Sequence, residues 1–191
     1  MKKILIIMLA LTCAFAMFSC GDESVSLDGF KTAVNNTAPA VANVSVEVET
    51  DLGKLTSNFK TTYAADGSFV IDYSYEQFNT SSTAGADDVK STITGKVTCD
   101  KDGNYSDGGA FVGKTTVATG AKLTLDSKKM ETVTVSEDGN ILNSTVKAAN
   151  TKAVLGIEIA SDVTLVVTKS ADKIVSYSIE YDKTTITCSF Q

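Results

Sequence analysis

Phe69-Val70-Ile71-Asp72-Tyr73-Ser74-Tyr75-Glu76 decides the fold, because its bulky side chains fall on every second residue. Phe69, Ile71, Tyr73 and Tyr75 share one parity, and the other carries mostly small or charged groups. A strand sends successive side chains to opposite faces, so this stretch predicts a strand buried on one side and wet on the other. The pattern recurs outward in both directions. Val44, Val46 and Val48 alternate with Ser45, Glu47 and Glu49, and Leu123 pairs in parity with Leu125 and Val133 with Val135. Val163, Leu165 and Val167 continue it, as do Tyr177, Ile179 and Tyr181. One-sided burial of this kind argues for an antiparallel sheet. The wet parity is rich in threonine and serine, which favour strands and remain soluble.

Turn residues support a meander. Asp66-Gly67, Asp102-Gly103 and Asp138-Gly139 stand at 36-residue intervals, and Ala171-Asp172 follows at nearly the same distance. Asp-Gly pairs favour type I′ hairpin turns. Two stretches depart from the strand pattern. Leu27, Phe30, Ala33 and Val34 recur at helical spacing, which predicts a short amphipathic helix ended by Asn35-Asn36 and Pro39. Val146 to Gly156 reads as a second short helix or a crossover, and residues 79–90 as a loop. The expected fold class is mainly β (α+β), a long antiparallel meander forming a curved sheet or incomplete β-barrel with a short N-terminal helix. A β-sandwich is the alternative, since it uses the same strands and turns.

The N-terminus has another character. Met1-Lys2-Lys3 precedes an almost unbroken apolar run from Ile4 to Phe18, followed by Ser19-Cys20-Gly21-Asp22-Glu23. These fifteen residues are short for a membrane span and suit the core of a signal peptide. A small residue directly before Cys20 resembles the lipobox of bacterial lipoproteins. Cys13 does not fit that role, because apolar residues follow it. The resemblance implies a signal peptide over residues 1–19, a lipid (diacylglycerol, with palmitate-type acyl chains) on Cys20, a tether over 20–25 and a single β-rich domain over 26–191. It implies a membrane partner through that anchor and a place in the bacterial cell envelope, on the periplasmic side or the cell surface. An ordinary secretory signal and an uncleaved anchor are the other readings.

Composition excludes several function classes. The 17 basic residues are all lysines, two of them in the leader; the remaining fifteen face 23 acidic residues, a net charge of −8 from Cys20 onward. An acidic surface without arginine repels phosphate backbones, so no nucleic-acid partner is expected. The chain has no histidine and no tryptophan. Serine–histidine and cysteine–histidine hydrolysis and histidine-ligated zinc are therefore out of reach. Neither catalytic residues, a cofactor nor a metal site is expected, and the chain reads as a non-enzyme.

Two local motifs need weighing. Gly108-Gly109-Ala110-Phe111-Val112-Gly113-Lys114-Thr115 matches the phosphate-loop pattern letter for letter, but it follows a turn and leads into β-prone residues rather than a helix. It reads as a loop. Asp100, Asp102, Asn104 and Asp107 offer oxygen ligands, yet the glycine comes too early for a calcium loop and no distal glutamate follows. A hairpin turn is the better reading.

Cys99 and Cys188 each share parity with apolar neighbours, so both thiols should face the core. A disulfide between them would close a loop of about 90 residues, worth about 4–5 kcal/mol. Two separate buried thiols are the alternative. Aromatic residues crowd the same faces: Phe59, Tyr63, Phe69, Tyr73, Tyr75 and Phe78, then Tyr177, Tyr181 and Phe190. If the sheet curves, Phe69, Ile71, Tyr73, Tyr75, Tyr177 and Tyr181 become candidates to line a ligand site on its concave side; otherwise they cap an ordinary core.

The helix around Phe30-Lys31-Thr32-Ala33, the strand Val44-Ser45-Val46-Glu47-Val48, the hairpin from Tyr63 to Phe69 and the closing Ile174-to-Tyr181 strand together resemble the LolA/LppX-like group of envelope proteins in element order and size. That resemblance implies a curved, incomplete barrel plugged by helices and a lipid or other apolar ligand. LolA depends on an arginine and this chain has none, so no functional residue is carried over. The expected function is a lipid-anchored, non-enzymatic envelope protein binding a lipid or other apolar ligand. The alternative is a surface interaction or structural module without a small-molecule ligand, and its envelope protein partner is not legible.

Overall fold

The computed structural model describes residues 27–78, 90–107 and 122–191. The expected signal peptide, Cys20 with its expected tether, the phosphate-loop match at 108–115 and nearly all of the segment 79–90 expected as a loop lie outside the described residues.

Among the described residues nine strands form one antiparallel sheet: β1 (Val41–Thr50), β2 (Gly53–Tyr63), β3 (Phe69–Phe78), β4 (Lys90–Cys99), β5 (Glu131–Val135), β6 (Ile141–Val146), β7 (Val163–Ser170), β8 (Lys173–Tyr181) and β9 (Thr184–Phe190). Their spatial order is β4-β3-β2-β1-β9-β8-β7-β6-β5. Strands consecutive in sequence pair with each other except β4 and β5, and β1 pairs with β9 to join the β1–β4 and β5–β9 halves. The sheet curves but does not close, with β4 and β5 at its edges. It is the incomplete barrel and not the sandwich.

Register carries the alternation across the whole sheet. Val135, Leu142, Val167, Tyr177, Cys188, Val44, Phe59, Tyr73 and Gly95 are successive direct partners from β5 to β4. Direct partners share a face, so this row crosses the inward side of every strand. Its centre is buried and its β3–β4 end is half-exposed. At that end the Tyr73 ring lies over Gly95: a Cβ there would sit 2.2 Å from the Tyr73 hydroxyl oxygen. The missing side chain is what lets the phenol lie down on the edge strand.

Helix α1 (Asp28–Asn36) packs against β8, burying Phe30 and Ala33, with Leu27 buried just before it. The helical spacing of these residues gives them one face. Thr37 fastens the far end of α1. Its hydroxyl donates to Ala33 O (2.6 Å) and accepts the Ile174 N–H of β8 (2.8 Å). Between β6 and β7 a 3-10 turn (Ala148–Asn150) runs into α2 (Thr151–Leu155), which stops at Gly156 with φ +72°. Val154 and Leu155 of α2 join Leu123, Leu125 and Met130 from the β5 approach in the same core as the sheet. The Thr124 N–H donates to Val154 O (2.8 Å), holding that approach against α2. The inward side is thus plugged by α1, α2 and the 122–130 segment.

The Asp-Gly turns are present, but not as type I′. Gly67, Gly103 and Gly139 have φ of +88°, +85° and +71°, whereas Asp66, Asp102 and Asp138 are absent from the left-handed region. The Gly67 N–H donates to Ala64 O, and the Ala64 N–H to Ser68 O, giving a four-residue turn that closes on a left-handed glycine. Carboxylates explain the difference. Asp66 Oδ1 accepts the N–H of Ser68, and Asp138 Oδ1 that of Asn140. Such a bond to the amide two residues on holds the aspartate in ordinary backbone geometry and leaves positive φ to the glycine. In the middle turn Asp100 does this work, accepting the N–H groups of Asp102 and Asn104.

Candidate functional site

These three turns (64–68, 100–104 and 136–140) and the β7–β8 turn at 171–172 all fall at one end of the sheet, and α1 lies there too. At that end a cleft of about 360 Å3 opens to solvent. Val34, Thr37, Ala38 and Pro39 supply one wall from the end of α1 and the bend after it. Ile174 and Tyr177 of β8, Phe190 of β9 and Tyr63 of β2 supply the sheet side, and Lys122 and Leu123 the remaining border. The volume is at the small end of the range of about 300–1,000 Å3 that ligand sites occupy.

The bend after α1 builds the wall. Thr37 ties the helix end to β8, and Pro39 then precedes β1, whose first residues bond to Gln191. The last inward residues of β2 and β9, Tyr63 and Phe190, come to the rim because both strands end on that side. Tyr63 is braced by Phe69 (ring centroids 6.0 Å), which in turn meets Tyr105 edge-on (6.1 Å). Phe190 leans on Tyr177 (5.9 Å).

Polar chemistry in the cleft is sparse. The Thr37 hydroxyl is engaged at both ends, and Lys122 is exposed. No carboxylate or thiol lines the cleft among the described residues, and its other polar side chains are those of Tyr63, Tyr177 and Lys122. Acidic groups with shifted pKa lie elsewhere. Asp66, Asp100 and Asp138 are held below the usual carboxylate value by hydrogen bonds from Ser68, Asn104 and Ser136, their respective leading partners. These are turn supports. Among the described residues no three His, Cys, Asp or Glu side chains gather as a metal site, and Asp100 serves its hairpin.

Of the six candidate lining residues, Tyr177 borders the cleft. Phe69 backs its rim through Tyr63. Ile71 is fully buried. Tyr73 and Tyr75 stack on each other (6.2 Å, 20°) farther along β3, and Tyr181 sits at the opposite end of β8. The wall residues Val34, Pro39, Leu123 and Ile174 carry no aromatic signal; only the helix ending ahead of Pro39 pointed toward them.

Cys99 and Cys188 are buried, as their parity implied, and both are free thiols. The expected disulfide is not formed. Cys99 lies on edge strand β4, Cys188 on β9, and three strands stand between them. Burial pushes the Cys188 thiol up to about 12, partly offset by a hydrogen bond from Tyr177. A second hollow, about 310 Å3, lies on the outward face between Asn43, Ser45, Asn58, Lys60, Thr187 and Ser189. Val44 and Phe59 also line it.

No family model matches the chain, and no curated protein matches its sequence. Among solved structures, LprF from Mycobacterium bovis is similar with a TM-score of 0.36 and 12% identity, over 85% of this chain and 89% of that one. A likeness of that size adds no argument to the sheet described above. Among the described residues no helix is long and apolar enough to cross a membrane.

Proposed function

We propose that this protein is a lipid-anchored, non-enzymatic component of a bacterial cell envelope that holds one apolar or amphipathic chain in the cleft beside α1. The observation that carries the reading is the cleft itself, walled by Val34, Pro39, Tyr63, Leu123, Ile174, Tyr177 and Phe190. Apolar walls open to water gain free energy when an apolar group covers them, at about 25 cal/mol per Å2. The small volume favours a single acyl chain or a compact apolar group over a lipid with several chains. The leader and Cys20 support the anchor.

The packed interior favours a second reading, a surface module whose partner is another protein, because α1, α2 and the 122–130 segment fill most of the inward side. One titration separates the two. The domain from Gly21 onward is exported without its lipid and titrated with a fluorescent fatty acid, cis-parinaric acid. Saturable binding at one per chain, lost in Ala38→Trp, supports the ligand reading. Ala38 is exposed on the cleft wall, so the indole fills the opening without touching the core. Absence of binding in the parent domain points to the surface module.

A further inference from the structure

We propose that the mouth of the cleft faces the membrane that carries the anchor, so that the ligand is drawn from that membrane. This rests on the lipid at Cys20 and on the ligand reading of the cleft. Cys20 to Ser26 is seven residues, and Leu27 is already buried in the core. Seven residues span at most about 25 Å even fully extended.

Where the tether meets the domain is fixed. Leu27 leads directly into α1, and α1 lies wholly at the cleft end. Phe30 sits beneath the Lys169 ammonium near the end of β7 (5.6 Å), and Asn36 donates to Asp172 in the β7–β8 turn (3.3 Å). The end of α1 then forms the cleft wall. The strands running away from this end are long. β1 has ten residues and β2 eleven, about 34–37 Å at the usual rise. Strands of a curved barrel tilt by about 35–45°, so the far end lies about 24–30 Å from the cleft end, and turning it to the membrane would demand a tether at or beyond full extension. The short tether therefore keeps the cleft end toward the bilayer.

Charge refines the picture. Six exposed carboxylates in the turns at this end, Asp66 and Asp138 among them, outnumber the exposed Lys101, Lys122 and Lys173 beside them. They resist flat adhesion to an anionic bilayer, so the tether and not charge attraction supplies the proximity.

The test uses the full lipidated chain in phosphatidylcholine vesicles containing a headgroup-labelled acceptor lipid. A donor dye is placed at Ala65→Cys in the β2–β3 turn or at Leu52→Cys in the β1–β2 turn. Ala65 and Leu52 are exposed at opposite ends of β2, and Cys99 and Cys188 are too buried to take the dye. Energy transfer several-fold stronger from position 65 is expected. Inserting twenty Gly/Ser residues between Ser24 and Val25 should collapse that difference, since a flexible linker of that length no longer constrains orientation. Equal transfer from both positions, stronger transfer from position 52, a difference insensitive to the insertion, or no vesicle association at all would each overturn the proposal. Fatty-acid binding by the lipid-free domain is read separately, so failure of orientation and failure of ligand binding are told apart.

Discussion

Gly95 and Thr151 show how single residues set the packing of this sheet. Gly95→Ala places a methyl against the Tyr73 ring. The ring is half-buried and can swing, so a loss of about 1 kcal/mol is expected in urea unfolding, at the low end for overpacking. Gly95→Ala with Tyr73→Leu should recover most of that loss. Thr151 is fully buried; its hydroxyl accepts the Ile159 N–H (3.0 Å) and lies within bonding distance of the carbonyls of Ala148 and Ile159. Thr151→Val keeps the shape and leaves that amide unpaired, so destabilisation of about 1–3 kcal/mol is expected by the same assay. The thiols offer a third check. Cys99 and Cys188 should be silent to a thiol reagent at pH 8 and react as two equivalents on unfolding, because burial keeps Cys188 protonated far above that pH. Parity in the sequence placed both thiols inward. It held no information on their separation, which depends on β1 pairing with β9 while β4 lies at the edge.

At the scale of elements, the strands and α1 were legible because each repeats its signal several times. Val163, Leu165 and Val167 are all buried in β7, and Leu27 just before α1 is buried with Phe30 and Ala33 of the helix. Turn type was not legible, because Asp-Gly suits both the type I′ turn and the turn closed by a left-handed glycine. The carboxylate bonds that select the second have a pH consequence. Asp66, Asp100 and Asp138 have folded pKa values below that of an ordinary aspartate, so each contributes stability that is present above the ordinary value and lost as pH falls through the folded one. Urea midpoints should therefore hold steady from pH 7 to about 5 and decline progressively below about 4. Asp66→Asn with Asp138→Asn should make that decline shallower.

For the whole molecule, the curved antiparallel sheet was legible in the alternation, but the cleft was not. Alternation assigns a residue to a face and says nothing about its height along the barrel. Tyr75 and Tyr177 both face inward, yet only Tyr177 lies at the end where α1 leaves a gap. The gap is made by tertiary packing: Thr37 ties α1 to β8, and Pro39 turns the chain toward β1. Resistance to unfolding should rise when the gap is filled, so a bound fatty acid should raise the thermal midpoint of the parent domain and not that of Ala38→Trp. The most direct test of the ligand reading is native mass spectrometry of the domain from Gly21 onward, gently purified from an exporting host, followed by organic extraction. A stoichiometric apolar or amphipathic molecule is expected on the parent domain and is missing from Ala38→Trp. A clean unliganded mass that gains nothing from an offered lipid panel would contradict it.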